Sequence, residues 1–562
     1  MRGRVERFLF LTGVLISLLI ASRVLYAEPY GTPVPAGVRP LLRLLAAALV
    51  TVLLADGILQ LLPGSGRPRR RPILPFLGCA GGLLLLLLPW IGQRVPSLAL
   101  EPGVGAHLGL TCLVAGTYPL RLLALGFRVG IPRLARRAPL LLPAGILAVI
   151  LIGCLLLLSP KAAWDGADVG LSEALFTSIS AATVTGLTVV DTGGTFTPFG
   201  HWVILGLIQL GGLGLMTFFA FAMMALGGGL GVRHGVVLRD LLDQESPGEV
   251  RRLLKAVIVA TLATEGIGAL CLFLVWGPPA GGGDSGPGLF SCLFHSVSAF
   301  CNAGFCLYAD SFSPWRGAVL VNGVISSLII AGGLGFTVMR DLWDQALRGR
   351  AWLRARGAPA LVSDPEPTAR PLFSAQSRIV LVTSGALLLG GWLAIWISEA
   401  SWPHPGEDPL WLSSFFHSVS ARTAGFHSFD LAESSPLARF VIILLMLVGA
   451  SPGSTGGGIK TVSFSLLLLA IAARLQNRDS IEIFHRRIPR EALHGSLVVI
   501  ASALSVLALL VAGLLWSERE ALAAGSFSFL ELLFEAVSAF GTVGLSLGVT
   551  PELSGGGRWV VA

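Results

Sequence analysis

The chain has 562 residues, of which 54% are hydrophobic and only 13% are charged, whereas a soluble domain carries roughly 25% charged residues. This composition excludes an ordinary water-soluble enzyme and predicts a protein that lies mostly in membrane lipid. The net charge of +8 does not indicate a nucleic-acid partner, because the basic residues alternate from loop to loop. The seven cysteines have no metal-ligand or disulfide-framework spacing, so no cofactor is expected.

Residues 1–137 are predicted to form an N-terminal membrane region with about four transmembrane helices. Apolar stretches lie at roughly 8–26, 41–62, 73–92 and 105–125, and a helix needs roughly 20 residues to cross the hydrocarbon core. The first stretch lacks a small-residue cleavage pattern, so it is interpreted as a retained span rather than as a signal peptide.

Basic residues cluster in alternate loops, within 67–71, 133–137, 233–255, 348–370 and 474–490. The positive-inside rule places these loops, and with them the N-terminus, in the cytoplasm. The intervening loops are acidic, which raises the local concentration of cations at the outer face.

From Pro139 onward a unit recurs: a long apolar span, a short segment rich in Phe, Ser and Ala that ends in glycine, and a second apolar span. The short segments read FTSISAATVTGL, FHSVSAFCNAGF, FHSVSARTAGF and FEAVSAFGTVGL. Their glycines, Gly186, Gly304, Gly425 and Gly544, recur at intervals of about 120 residues, which indicates four internal repeats. The third segment is one residue shorter, so its loop is not required to superpose on the others.

Each short segment is too brief to span the bilayer, and the predicted topology places it on the outer side between two spans. This arrangement predicts a half-length helix followed by an extended return, because non-helical backbone is tolerated at membrane depth only inside protein or beside a watery cavity. The glycine suits a cation filter, since carbonyl oxygens that point to one axis require backbone angles that glycine adopts cheaply. Four such loops predict one cation-selective pore.

Four pentapeptides, TVTGL, CNAGF, RTAGF and GTVGL, resemble the filter loops of the Trk/Ktr/HKT potassium transporter superfamily, and those of the bacterial Trk/Ktr pore-forming subunits most closely. The resemblance implies that backbone carbonyls of these loops bind K⁺, the transported ion. It also implies that a glycine in the first loop favours potassium, where a serine goes with sodium permeation. The implied filter residues are Thr183, Val184, Thr185, Gly186, Cys301, Asn302, Ala303, Gly304, Arg422, Thr423, Ala424, Gly425, Gly541, Thr542, Val543 and Gly544.

The resemblance implies an all-α polytopic membrane protein, with four pseudo-repeats of span, re-entrant pore loop and span around one central pore, preceded by four extra spans. The predicted boundaries are 1–137 for the N-terminal membrane region, 138–240 for pore repeat 1, 241–350 for repeat 2, 351–370 for a cytoplasmic linker, 371–480 for repeat 3 with a broken second helix, and 481–562 for repeat 4. Family members finish the fourth repeat with a second span. Only the first turn of a helix is expected here, so the chain is expected to be truncated, defective or completed by another chain.

The segment GASPGSTGGGIKT, Gly449 to Thr461, interrupts the second span of repeat 3. Glycine and proline weaken a helix, and the segment resembles the intramembrane gating loop of the same family, which lies beneath the filter. The implied gating residues are Gly449, Pro452, Gly453, Gly456, Gly457, Gly458 and Lys460. Lys460 is expected to bias the gate electrostatically.

The resemblance further implies potassium uptake across a bacterial-type plasma (inner) membrane by a homodimer in contact with lipid. A cytoplasmic RCK-type nucleotide-binding subunit is the implied regulator. A sodium or mixed-cation transporter of the same fold is the alternative. A polytopic membrane enzyme or sensor is a further one, although the chain has no HExxH motif, nucleophile elbow or paired acids at helical spacing.

Four other polar residues have two interpretations each. His295 and His417 occupy matching places in repeats 2 and 3, and helix packing or a hydrogen bond is favoured over a metal pair or proton relay. Arg422 is either an electrostatic barrier or a structural anchor. Glu265 lies within an apolar span, where an ionisable group is a functional candidate by default, but it is equally interpretable as a buried structural acid.

Overall fold

The computed structural model describes residues 138–214 apart from 165 and 168, then 247–276, 287–342, 345, 373–402, 410–478, 482–483 and 486–562. The predicted N-terminal spans and the linker at 351–370 lie outside the described residues. The chain divides into two compact units, of which the first contains 1–141, 159–161 and 223–237. The second contains 142–158, 162–222 and 238–562, and the structural account below concerns this unit.

Most of the described residues are helical. The first eight helices are α1 (Ala138–Leu157), α2 (Leu171–Ala182), α3 (Thr192–Thr195), α4 (Pro198–Gly212), α5 (Pro247–Val275), α6 (Leu289–Phe300), α7 (Val319–Leu334) and α8 (Phe336–Leu342). The next eight are α9 (Ala375–Ala400), α10 (Leu410–Ser420), α11 (Pro436–Leu447), α12 (Thr461–Leu475), α13 (Arg490–Ser517), α14 (Arg519–Ala523), α15 (Phe529–Gly541) and α16 (Gly555–Val561). A two-stranded antiparallel hairpin, Glu482–Ile483 with Arg486–Arg487, precedes α13.

Three of these helices are long and apolar enough to cross a membrane: the Ala256–Val275 part of α5, and the whole of α9 and α13. The latter two contain the apolar stretches 378–398 and 493–516, which the sequence predicts as spans and whose ends lie within three residues of the observed helix ends. Helices α7 and α8 pass the same test together, with a bend of 105° between them. Gly335 stands at the bend with a φ of +83°, a backbone angle that glycine adopts without the steric cost paid by other residues.

Polar side chains fix where helices α4, α11 and α16 begin. Thr197, Ser435 and Ser554 are the N-caps of α4, α11 and α16, and each accepts a hydrogen bond from a backbone N–H of the first turn. Proline follows Thr197 and Ser435, at the first helical position, where its missing N–H costs nothing. Two buried acids reinforce these caps. Glu399 accepts hydrogen bonds from Ser435, and Glu518 accepts them from Ser554.

The short helices pack against the long ones through a recurring serine bond. Ser178 of α2 donates to the Ile150 carbonyl at 2.6 Å, Ser296 of α6 to the Glu265 carbonyl at 2.7 Å, and Ser418 of α10 to the Leu388 carbonyl at 2.8 Å. Three residues further along each long helix stands a glycine, and a Cβ built on Gly153, Gly268 or Gly391 would lie 2.5–2.7 Å from the same serine hydroxyl. Glycine therefore allows the close approach of the helices.

Helix α16 is longer than the single turn expected from the sequence. Its seven residues, Gly555–Val561, pack on α13, where a Cβ built on Gly513 would lie 3.4 Å from the Val560 side chain. Arg558 joins this helix to the start of α2 through an ion pair with Glu173 at 3.2 Å. Glu173 lies in the first turn of α2, where a negative charge also complements the helix dipole.

Candidate ion pathway

Each of the four short helices ends in the same backbone conformation. Shortly after the helix, or at its C-cap, a residue other than glycine adopts a positive φ, and a glycine with positive φ follows two positions later. The first set consists of Val184 (59°), Asn302 (57°), Thr423 (74°) and Thr542 (50°). The second consists of Gly186 (87°), Gly304 (70°), Gly425 (81°) and Gly544 (90°). A positive φ is costly for a side-chain-bearing residue, so its presence at four matched places indicates a backbone shape imposed by the surrounding structure.

The four glycines form a closed ring. A Cβ built on Gly304 would lie 3.1 Å from the Cα of Gly425 and 3.4 Å from that of Gly186. One built on Gly544 would lie 3.0 Å from the Cα of Gly186, and one on Gly425 would lie 3.1 Å from that of Gly544. The order around the ring is therefore that of the chain, and the last loop meets the first. Side chains are excluded at this level, which leaves backbone atoms to line the centre.

A serine in each short helix fixes the return segment. Ser180, Ser298 and Ser420 donate to the carbonyls of Leu187, Phe305 and Phe426 at 2.7, 2.8 and 2.5 Å, whereas Ser538 accepts a hydrogen bond from the Gly544 N–H at 3.1 Å. These serines are the S of the SA pair that all four motifs share, although the sequence analysis assigned them no role. They attach the residues around each ring glycine to a rigid helix.

The third loop forms the same structure with one residue fewer. Helix α10 ends at Ser420 itself, whereas α2 and α6 continue for two residues beyond Ser180 and Ser298. Earlier termination of the helix takes up the missing residue, so the pair of positive φ values and the serine anchor are retained. The one-residue difference in length, which left superposition of this loop open, therefore changes the helix end and not the ring.

Matched side chains behind the loops differ in chemistry but make similar contacts. His295 Nε2 accepts a hydrogen bond from the Leu307 N–H at 3.2 Å, and Glu535 Oε1 accepts one from the Leu547 N–H at 3.0 Å. Both acceptors are completely buried, and both bonded residues lie three positions after a ring glycine. At the matching place in repeat 3, His417 bonds the Ser413 carbonyl through Nδ1, while its buried Nε2 has no partner.

Among the described residues no cluster of three or more His, Cys, Asp or Glu could hold a metal ion.

The glycine-rich segment between α11 and α12 lies directly beside the ring loops. Helix α11 ends at Leu447 and α12 begins at Thr461, so the non-helical stretch starts one residue before the predicted Gly449 and ends one before the predicted Thr461. The Gly457 N–H donates to the Thr542 hydroxyl at 3.0 Å, and the Thr455 hydroxyl donates to the Phe300 carbonyl at 3.3 Å. The segment therefore contacts the second and fourth loops.

The same segment is joined to the bend between α7 and α8 by three backbone hydrogen bonds. Ser451 N–H donates to the Gly333 carbonyl at 3.1 Å, Thr455 N–H to the Gly332 carbonyl at 3.5 Å, and Phe336 N–H to the Gly453 carbonyl at 3.1 Å. A break in a helix leaves backbone groups on both sides without intrahelical partners, and here those groups are the Gly332 and Gly333 carbonyls and the Phe336 N–H. The glycine-rich segment thus stabilises the 105° bend.

Two basic side chains donate hydrogen bonds to carbonyls of this segment: Arg422 belongs to the third loop, and Lys460 to the segment itself. Arg422, only 8% exposed, donates through a terminal nitrogen to the Gly449 carbonyl at 3.3 Å, and Lys460 Nζ donates to the Gly456 carbonyl at 2.6 Å. Within the described ranges neither forms an ion pair with an acid. The contact of Arg422 supports its interpretation as an anchor, here between the third loop and the glycine-rich segment.

The geometry gathers most of the residues predicted for the filter and the gate. The four loops meet at the ring, and Gly456 and Gly457 pack on Thr423 and Thr542 so tightly that a Cβ on either glycine would collide with the threonine hydroxyl. Pro452 and Gly453 lie instead at the α7–α8 bend, where their carbonyls face Gly335. Glu265 lies behind the second loop, beside Cys301 and Gln209.

Comparisons with known proteins agree with this geometry. The family model for TrkH, described as a cation transport protein, matches residues 147–558. Ktr system potassium uptake protein B of Vibrio alginolyticus is 35% identical over 427 residues, which cover 75% of this chain and 87% of that protein. The protein of the same name from Bacillus subtilis (strain 168) is 35% identical over 430 residues, with 75% and 88% covered.

Two further similarities bear on ion type and fold. The potassium/sodium uptake protein NtpJ of Enterococcus hirae is 32% identical over 428 residues, which cover 75% of this chain and 88% of that protein. The crystal structure of the potassium transporter TrkH from Vibrio parahaemolyticus covers 87% of this chain and 94% of its own, with a TM-score of 0.56 and 16% identity. Together with the helical structure, this similarity of fold confirms the prediction of an all-α polytopic membrane protein.

The family resemblance inferred from the four pentapeptides is likewise confirmed, because the family model matches well over half of the chain and each of the uptake proteins named above is more than 30% identical to it. The protein belongs to the TrkH family of cation transport proteins, which are membrane ion transporters rather than enzymes.

Proposed function

We propose that this protein mediates potassium uptake across the plasma membrane, with the ring of four loops as its selectivity filter. The observation that carries the proposal is the closed ring of Gly186, Gly304, Gly425 and Gly544, where side chains are excluded and the backbone surrounds one axis. A filter built from carbonyl oxygens replaces the hydration shell of the ion. Uptake is driven by the membrane potential, which supplies about 2.3 kcal/mol per unit charge per 100 mV.

The proposed coordinating groups are the backbone carbonyls of the four loops, Thr183 to Gly186, Cys301 to Gly304, Arg422 to Gly425 and Gly541 to Gly544. The paired positive φ values in each loop support this assignment, because they turn successive carbonyls away from a regular helical direction. Each short helix ends at its loop, so the negative end of its dipole is directed at a bound cation.

The glycine-rich segment is the proposed gate, formed by Gly449, Pro452, Gly453, Gly456, Gly457, Gly458 and Lys460. Its contacts with Thr423 and Thr542, and with Phe300 at the end of α6, support this assignment, because these residues belong to or adjoin three of the four loops. Passage of an ion beside these contacts requires the segment to move. Lys460 adds a positive charge that opposes a cation until then.

The proposed architecture has the boundaries given by the sequence: an N-terminal membrane region at 1–137, four pore repeats at 138–240, 241–350, 371–480 and 481–562, and a linker at 351–370. Recurring serine bonds and caps support the repeats. Family membership supports a homodimer with a cytoplasmic nucleotide-binding regulator of the RCK type. The distribution of basic residues supports a cytoplasmic N-terminus.

A sodium or mixed-cation transporter is the second candidate, and the similarity to a potassium/sodium uptake protein supports it. Uptake of ⁸⁶Rb⁺ into proteoliposomes, with K⁺ or Na⁺ added as competitor, separates the two. Potassium selectivity predicts that K⁺ abolishes Rb⁺ uptake at concentrations where Na⁺ has little effect. Equal competition by the two ions favours the mixed-cation transporter, and the absence of protein-dependent Rb⁺ uptake contradicts the proposed function.

A further inference from the structure

The carboxylate of Glu265 lies behind the second filter loop and has no part in the pathway described above. Glu265 belongs to α5 and is only 3% exposed. Its Oε1 accepts a hydrogen bond from Cys301 Sγ at 3.6 Å, and its Oε2 accepts one from Gln209 Nε2 at 3.2 Å. A helix of repeat 1, a helix of repeat 2 and a filter loop therefore meet at a single carboxylate.

Repeats 1 and 3 have no carboxylate at the place that Glu265 occupies in repeat 2. The serine bonds between short and long helices identify Ile150 and Leu388 as the residues that correspond to Glu265 in repeats 1 and 3. Both are apolar, so the packing of a short helix on its long helix does not need an acid. Burial of an ionisable group is costly, and Glu265 forms no ion pair within the described part of the chain. This cost has to be offset by a role particular to the second loop.

Cys301, the partner of this carboxylate, has little freedom to move. It is completely buried, and a Cβ built on Gly212 of α4 would lie 2.7 Å from the Cys301 Cβ. The cysteine is thus enclosed between Gly212 on one side and Glu265 on the other. It is also the C-cap of α6, so its position determines where the helix ends and the filter loop begins.

The residue after Cys301 carries the strained backbone of the loop. Asn302 has a φ of 57°, which costs a side-chain-bearing residue roughly 1–2 kcal/mol and persists only where neighbours determine it. On the other side of the loop, the Asn302 side-chain amide lies 3.1 Å from the Thr423 hydroxyl. The second loop is therefore supported from two directions, by Thr423 and by the contact between Cys301 and Glu265.

We propose that Glu265 is a positioning residue for ion selectivity, which together with Gln209 fixes Cys301 and thereby the carbonyl directions of the second filter loop. The proposal rests on the filter assigned above. It accounts for a buried acid at a position where the corresponding residues are apolar, and it couples the second filter loop to the second helix of repeat 1.

The test measures ⁸⁶Rb⁺ uptake into proteoliposomes by the full-length protein, with K⁺ or Na⁺ as competitor. E265L removes both acceptor oxygens, which leaves the thiol of Cys301 and the amide N–H of Gln209 without an acceptor. We expect the K⁺/Na⁺ preference to fall at least about fivefold, while the maximal Rb⁺ flux stays within about twofold of wild type. In E265Q the amide oxygen still accepts from the thiol, and its NH₂ group donates to Gln209 once the Gln209 amide turns over, so E265Q is expected to keep most of the preference.

The control is E399L, which alters another buried acid. Glu399 accepts hydrogen bonds from Ser435, the N-cap of α11 and a residue outside the four filter loops, so E399L is expected to lower thermal stability without changing the K⁺/Na⁺ preference. If E265L does not fold, C301A removes the hydrogen bond from the thiol and is expected to lower the preference. The inference is overturned if E265L, or C301A in its place, keeps the wild-type preference. It is also overturned if E399L lowers the preference equally, or if E265Q lowers it as much as E265L does. Failure of the wild-type protein to prefer K⁺ contradicts the filter assignment itself.

Discussion

Two glycines of the fourth loop, Gly544 and Gly548, provide a matched pair for testing the ring. Their φ angles are +90° and +85°, so alanine at either position suffers the same kind of backbone strain, roughly 1–2 kcal/mol. The surroundings differ. A Cβ on Gly544 would lie 2.5 Å from the Thr185 carbonyl oxygen and 3.0 Å from the Gly186 Cα, whereas a Cβ on Gly548 would meet nothing within 4 Å.

The consequence of Gly544→Ala follows from these distances. Carbon atoms pack best at about 3.5–4.0 Å, so the ring would have to open by roughly half an ångström between the fourth and first loops. The atoms that must move are backbone, including the Thr185 carbonyl in the filter, and not the flexible end of a side chain. We expect the K⁺/Na⁺ preference to fall at least tenfold, equivalent to about 1.4 kcal/mol. Gly548→Ala is expected to stay within about twofold of wild type.

The assay is Rb⁺ uptake under K⁺ or Na⁺ competition, with the thermal unfolding of each purified variant measured in detergent. Both variants are expected to lose stability through the shared backbone strain, and Gly544→Ala is expected to lose more, because its Cβ also collides with backbone atoms of the first loop. Only Gly544→Ala is expected to lose selectivity. The reasoning is refuted if Gly544→Ala keeps the wild-type preference, or if both variants lose selectivity to the same extent, because either result means that contact within the ring does not determine ion choice.

Three further predictions concern residues around the ring. Lys460→Met removes a charge and the hydrogen bond to the Gly456 carbonyl, so basal Rb⁺ uptake is expected to rise at least about twofold; an unchanged or lower rate contradicts the proposed gate. Glu535→Gln weakens a buried acceptor of three hydrogen bonds and is expected to cost about 2–3 kcal/mol of stability, measured as a lower unfolding temperature in detergent. An unfolding temperature equal to that of the wild type would exclude a role of Glu535 in holding the return segment of the fourth loop. Glu173→Gln breaks the partly exposed ion pair with Arg558 and is expected to cost less than about 1 kcal/mol; a larger loss in the same measurement means that the contact of α16 with α2 is underestimated.

The sequence was most informative where one short pattern recurred. Four motifs that end in glycine predicted four short helices with returning loops, and the structure has both, with the glycines in one ring. The broken second helix of repeat 3 was equally accessible, because glycine and proline disfavour a continuous helix there. Both features depend on local backbone preferences, which the residue types of a single sequence indicate.

Contacts that form only in the folded structure were not accessible in this way. The SA serines stood at the same place in all four motifs, yet their partners are backbone groups, three carbonyls and one N–H, which no residue type identifies. His295 and Glu535 occupy matched positions, but their common function as acceptors appears only when the return segments are in place. The bend at Gly335 depends on hydrogen bonds from a segment more than 100 residues later in the chain, and a local pattern contains no information on such a contact.

The central claim is that the ring of Gly186, Gly304, Gly425 and Gly544 binds the transported ion. The most direct test is anomalous diffraction from crystals of the full-length protein soaked in Rb⁺ or Tl⁺, which substitute for K⁺. We expect anomalous peaks on the axis of the ring, coordinated by backbone carbonyl oxygens of all four loops and weakened in Gly544→Ala. Peaks located only elsewhere, with none on the axis of the ring, would contradict the account.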